Sequence, residues 1–162
     1  ALEVTENKVP GHVIAEMIAT GQDMLAHPIE LLPGVRPVIE DLAGAYQLVL
    51  ITKGDLLDQE RKLAQSGLGE LFDAVEVVSD KTPATYHDAF GRHGDGPDRA
   101  MMVGNSLKSD VLPALSAGAW GVHVPYEVTW AYEQADPPKT KDRFHELPDL
   151  QALPGLVQRI TA

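Results

Sequence analysis

The sequence predicts an α/β protein built on an open parallel sheet with helices on both faces. Three observations predict it. Short, nearly continuous apolar runs recur along the chain, at Leu48–Ile51, Val75–Val78, Ala100–Val103 and Trp120–Val124. Segments with apolar residues at helical spacing separate them. Each run ends in a polar or glycine-containing turn. Unbroken apolar strands suit a sheet buried on both faces, and the alternation with helices suits parallel crossovers.

The elements follow in order. Val13, Ile14, Met17, Ile18, Met24 and Leu25 recur at helical spacing and predict a helix over 12–27, closed by Pro28. Leu31-Leu32-Pro33-Gly34 is a break. Val35, Val38, Ile39 and Leu42 then share one face of a second helix, with Gly44 near its end. Tyr46–Thr52 predicts the first strand, ended by the turn Lys53-Gly54-Asp55, and a helix over 56–66 stops at Gly67. A strand over 75–78 leads to a helix over 83–91, with Pro83 in its first turn. The strand 100–103 ends in Gly104-Asn105-Ser106. A helix over 110–117 follows, with Ser109 or Asp110 as its cap. The strand 120–124, an irregular stretch over 125–141 containing Pro137-Pro138, a short strand at Phe144 and a helix over 150–160 complete the chain.

Composition bounds the function. The 24 acidic side chains against 13 basic ones give a formal charge of −11, which repels nucleic-acid phosphates, so no nucleic-acid partner is expected. There is no cysteine, which removes disulfides, thiolate metal sites and a thiol nucleophile, and fits the reducing cytoplasm expected as the compartment. No apolar run approaches a membrane span, and Ala1–Glu6 lack the pattern of a secretory signal, so no membrane partner is expected.

In a parallel α/β sheet, ligands bind beyond the carboxyl ends of the strands. Three turns therefore matter. Thr52 offers a hydroxyl, and the Lys53 and Gly54 amides could face the same anion. Lys81 could neutralise a phosphate or a carboxylate. After the third strand, Gly104 lets the backbone approach a ligand, while Asn105 and Asp110 offer oxygen donors of the kind Mg²⁺ takes. Taken alone, each has an ordinary reading. Thr52 ends a strand, Lys81 is a solvated lysine, and Ser109 and Asp110 cap a helix. The six histidines show no metal-ligand spacing, and His123 on an apolar strand reads as a satisfied core histidine. Met101-Met102 reads as core packing, and Trp120, Tyr126, Trp130 and Tyr132 as packing against the sheet or cap.

The order of these turns carries more than any one of them. Leu50-Ile51-Thr52-Lys53-Gly54-Asp55, then Ser79-Asp80-Lys81-Thr82-Pro83, then Val103-Gly104-Asn105-Ser106 with Ser109-Asp110, resembles motifs II, III and IV of the haloacid dehalogenase-like hydrolase superfamily. Leu32-Pro33-Gly34-Val35 and the run Ser66-Gly67-Leu68 to Leu71-Phe72-Asp73 resemble the family's flanking segments. The resemblance covers residues 29–162, a Rossmann-like core, and residues 1–28 look like the end of a helical cap.

The resemblance implies a phosphatase acting on a small phosphorylated metabolite through an aspartate nucleophile, with a second aspartate as general acid and base. Thr52, Lys53 and Gly54 would hold the phosphoryl group, Lys81 would balance its charge, and Asn105 and Asp110 would hold Mg²⁺. Two departures stand out. The family's phosphatases usually carry aspartate where this chain has Asn105. This removes one negative charge from the metal site and leaves open a metal-free 2-haloacid dehalogenase-type hydrolase. The family's first motif, Asp-x-Asp, occurs nowhere in these residues. The nucleophile is thus expected outside them, these residues alone are expected to be inactive, and a non-catalytic phosphate-binding module is a third reading. The strand bearing that motif lies between the motif II and motif IV strands, so these two are expected not to pair directly.

Overall fold

The structure is a computed structural model that describes residues 8–126, 133, 135–139 and 142–161. The residues Ala1–Glu6, Trp130 and Tyr132 singled out above lie outside the described ones. By internal contacts the chain divides into Ala1–Glu30 and Leu31–Ala162. In the first unit, Gly11–Ala26 forms helix α1, none of whose residues is buried. Its Met17, Ile18, Met24 and Leu25 are exposed.

The second unit opens with α2 (Val35–Ala43), entered through Gly34 at φ 78°. Strand β1 (Val49–Lys53) is shorter than the predicted 46–52. The amides of Ala45 and Tyr46 are captured by the Leu42 carbonyl at 3.0 and 2.9 Å, so these residues finish the helix instead of starting the strand. Asp73 then takes the Leu48 amide on its carboxylate at 2.7 Å and returns its own amide to the Leu48 carbonyl at 2.8 Å. That exchange sets the register of β1 against β2 (Ala74–Val78), which pair in parallel from Val49–Ala74 to Lys53–Val78. Between them α3 (Leu56–Ser66) has Asp55 as its cap, accepting from the Asp58 amide, and Gly67 at φ 65° as its stop.

Helix α4 (Pro83–Arg92) is capped by Thr82 and carries Pro83 in its first turn. Strand β3 (Met101–Gly104) pairs in parallel with β4 (Trp120–His123), and β4 with β5 (Phe144–Glu146). The chain ends in α6 (Leu153–Thr161) behind a single turn capped by Asp149. All ladders are parallel, as predicted, but they fall into two sheets, β1-β2 and β3-β4-β5. Among the described residues no ladder joins β1 to β3.

Two cores cover the two faces. Val38, Leu42, Leu153, Leu156 and Val157 of α2 and α6 pack with Val122, Leu48, Met101 and Val103. On the other face Tyr86, Ala114 and Ala119 pack with Ile51, Phe90 and Met102. Met101 and Met102 thus fill opposite cores, as alternation along a strand requires. Among the described residues no helix is long and apolar enough to cross a membrane.

One prediction needs correction. The helix expected over 110–117 with Ser109 or Asp110 as cap is instead a wide turn, Leu107–Val111, followed by a short helix α5 (Leu112–Ser116). Ser106 is the cap, its hydroxyl accepting from the Ser109 amide at 2.9 Å. The Asp110 carboxylate is engaged elsewhere and does not cap. The Ser106 carbonyl accepts from both the Asp110 and Val111 amides, so the fifth residue closes the widened turn.

Candidate active site

The carboxyl ends of β1, β2 and β3 carry the three turns that the sequence singled out. The firmest joint among them is an ion pair. Lys81 Nζ donates to Asp110 Oδ1 at 2.7 Å, with the two side chains only 13% and 7% exposed. Lys81 follows β2 and Asp110 follows β3. The pair therefore shows that both sheets turn their carboxyl ends to one place, although among the described residues no ladder links them.

Asp110 is fixed from a second side. The Ser106 amide donates to Oδ2 at 3.0 Å, within the loop that Asp110 closes. Gly104 makes room for it: a β-carbon there would lie 2.3 Å from Asp110 Oδ2. The space beside Gly104, expected to admit a ligand, is filled by the Asp110 carboxylate. Beneath the loop, the fully buried Tyr86 donates its hydroxyl to the Ser109 carbonyl at 3.1 Å. Burial, and then the nearby Asp110 charge, push the phenol's ionisation far up, so it stays a donor.

Asn105 is exposed at the end of β3. Its carbonyl faces His123 Nε2 at 3.2 Å, while His123 Nδ1 meets Glu146 Oε2 at 2.9 Å. His123 is satisfied, as expected, and it also anchors the backbone that presents Asn105.

Thr52 ends β1, but its hydroxyl donates to Gln59 Oε1 at 2.8 Å on the first turns of α3. Gln59 also explains the neighbouring glycine. Gly54 has φ 149°, and a β-carbon there would come within 2.9 Å of the Gln59 amide nitrogen. Lys53 reaches toward the β2 turn, with Nζ 3.5 Å from Asp80 Oδ1. The structure thus joins Lys81 to Asp110 directly and Lys53 to the residue before Lys81. Thr52 and Asn105 each have a partner outside the candidate set.

Sequence reasoning missed Gln59, which sits four residues after the Asp55 cap and so on the turn that faces back toward β1. It also missed Glu133. The Glu133 carboxylate accepts from the hydroxyls of Ser106 and Ser109, which hold it below the usual carboxylate range. No local pattern marks Glu133, because its partners lie more than twenty residues away.

The donor set fits Mg²⁺ in kind. Asn105 offers an amide oxygen on an exposed residue, and the Asp110 carboxylate has lone pairs in addition to those that accept from Lys81 and the Ser106 amide. It is short in number. Among the described residues no three His, Cys, Asp or Glu side chains converge, so water and substrate oxygens would complete the shell.

Comparison with known proteins gives a consistent picture. A family model described as haloacid dehalogenase-like hydrolase matches residues 5–118. A glyceraldehyde 3-phosphate phosphatase from Methanothermobacter thermautotrophicus is 33% identical over 106 residues, 61% of this chain and 46% of the relative. The human N-acylneuraminate-9-phosphatase is 28% identical over 93 residues, 54% of this chain and 38% of the relative. The chain thus spans less than half the length of these curated relatives. Among solved structures, a haloacid dehalogenase-like family hydrolase from Xanthomonas campestris superposes with a TM-score of 0.85 at 39% identity, covering 98% of this chain and 67% of that one.

Proposed function

Since this chain belongs to the haloacid dehalogenase-like hydrolase family, we propose that it forms the phosphate-handling core of a phosphatase acting on small phosphorylated metabolites in the cytoplasm. The observation that carries the proposal is the Lys81–Asp110 pair. It holds a cation and a buried carboxylate at the meeting point of the strand ends, where a parallel α/β sheet receives its ligand.

The proposed roles follow from the chemistry. The Thr52 hydroxyl and the Lys53 and Gly54 amides bind phosphoryl oxygens, which requires Thr52 to exchange its Gln59 partner for the substrate. Lys81 balances the added negative charge. Asp110 orients Lys81, and with Asn105 it would hold Mg²⁺, whose chemistry is to draw charge off the phosphoryl oxygens during attack. In the proposal the attacking carboxylate comes from outside these residues, because none of them carries the paired aspartates of the family's first motif. Residues 1–28 belong in this reading to the end of a helical cap. Substrate choice rests with that cap.

Asn105 favours one second reading, a metal-free dehalogenase, because it withholds a charge that a metal site would use. The test is phosphate release from p-nitrophenyl phosphate by the full-length protein, with Mg²⁺ and with excess chelator. Release that needs Mg²⁺ is expected. Phosphatase activity unchanged by chelator would overturn the Mg²⁺ assignment. Halide release from a 2-haloacid in chelator, without any phosphatase activity, would overturn the phosphatase reading in favour of the dehalogenase.

A further inference from the structure

The loop that carries Asn105 and Asp110 is held from outside by one carboxylate. Glu133 Oε2 accepts from Ser106 Oγ at 2.5 Å and also from Ser109 Oγ. The Ser106 hydroxyl lies in addition 3.4 Å from the Glu133 carbonyl. The same Ser106 caps the loop through the Ser109 amide, and its own amide grips Asp110 Oδ2. A continuous relay therefore runs from Glu133 through Ser106 to Asp110 and on to Lys81.

The relay has a direction. Ser106 and Asp110 are each 5% exposed and the Lys81 side chain 13%, so these groups cannot exchange partners with water cheaply. Glu133 lies in the stretch between β4 and β5, far along the chain from the loop it holds. Hydroxyls donating to a carboxylate make stronger bonds than neutral pairs do. Two of them on one oxygen atom fix both ends of the turn that begins with Ser106. We propose that Glu133 is a positioning residue, a clasp by which the segment after β4 sets the placement of Asn105 and Asp110 in the site. This rests on reading that loop as part of the phosphate and metal site.

The clasp makes specific demands. Both hydroxyls meet the same oxygen, so a glutamine can present its carbonyl oxygen to both and lose only charge. An alanine presents nothing. E133A should therefore speed amide hydrogen exchange over residues 105–111 by about tenfold, the effect of removing charge-assisted bonds from a locally opening turn. It should lower kcat for p-nitrophenyl phosphate by a similar factor with KM changing less, while E133Q stays within about threefold of wild type in both readouts. In S109A the effect of E133A should shrink, because part of the interaction is already gone.

Several results would overturn the proposal: unchanged exchange over 105–111 in E133A, equal damage from E133Q and E133A, or fully additive effects of E133A and S109A. Tighter binding of inorganic phosphate by E133A would also overturn it, by showing that Glu133 fills an anion site instead of bracing a loop. If E133A fails to fold, S109A carries the test, and unchanged exchange in the same amides refutes the clasp. A wild-type protein without phosphatase activity would count against the proposed function and leave the exchange comparison standing.

Discussion

Replacing Lys81 by methionine isolates the ion pair on which the proposed site rests. The variant keeps the length and the apolar stem of the side chain and removes the ammonium 2.7 Å from Asp110. Both side chains are more than four-fifths buried, so solvent screens the pair poorly. Removing one partner of a buried pair costs about 3–5 kcal/mol, because the other charge is left without compensation. Asp110 keeps the Ser106 amide on its second oxygen, which places the expectation near the lower end, about 3 kcal/mol. For a domain of this size that corresponds to a melting point lower by roughly 6–12 °C. The assay is urea and thermal unfolding of the full-length protein with Lys81→Met, Asp110→Asn and the double variant. Each single variant leaves one buried charge alone, whereas the double variant leaves none, so it should be more stable than either. The reasoning is refuted if Lys81→Met lies within about 1 kcal/mol of wild type, or if the two effects add within about 0.5 kcal/mol.

Other outcomes follow from the same structure. Gly104→Ala places a β-carbon 2.3 Å from the Asp110 carboxylate, and unfolding experiments should find it destabilised by at least about 2 kcal/mol, with the proposed phosphatase activity largely lost. Asn105→Asp adds a charged oxygen to the proposed metal site, and calorimetric titration with Mg²⁺ should show binding tightened about tenfold. Glu76 accepts from His93 Nε2 at 2.6 Å and from Arg92, and these two donors hold its carboxyl below the ordinary range. A depressed folded-state value means that the stabilisation is complete above the unfolded value and is lost as pH falls through the folded one. Glu76→Gln should therefore cost about 1 kcal/mol at pH 7 and nothing at a pH below the carboxylate range, as read from unfolding curves at both.

Much of this architecture was legible because its signals are local. Asp55 and Gly67 bracket α3 by cap and stop, and Thr82 with Pro83 starts α4; both helices begin where the sequence places them. The order of strand-end turns singled out Thr52, Lys81 and Asp110 as candidates, and the structure pairs the last two. What escaped depends on hydrogen-bond partners that the apolar pattern does not mark, some near in sequence and some far. The late start of β1 is decided by the Leu42 carbonyl and by Asp73, neither visible in the apolar run itself. Asp110 looked like a helix cap because aspartate favours that position. It does not cap, because the Lys81 ammonium and the Ser106 amide both compete for its oxygens. Gln59 is close in sequence but needs the β1–α3 turn to face Thr52, whereas Glu133 and the Asn105 carbonyl's bond to His123 come from elements that meet only after the chain folds.

The separation of β1 from β3 has an energetic consequence. Ile51 and Met102 pack with the same Tyr86 cluster, and Leu48 and Met101 with the same α2–α6 cluster. Both helical layers therefore run across the two sheets, while the inner edges of β1 and β3 carry no ladder to each other. Both strands are largely half-buried, so their edge amides and carbonyls are poorly placed to rely on water. Each one left without a partner costs about 1–3 kcal/mol, and a few such groups equal the whole stability of an ordinary domain. A further parallel strand pairing with both β1 and β3 would satisfy these edges. The 162 residues expressed by themselves should therefore give no cooperative thermal transition by circular dichroism. A sharp, reversible transition from these residues alone would show that the two edges are satisfied without an added strand, and would refute this account of the sheet.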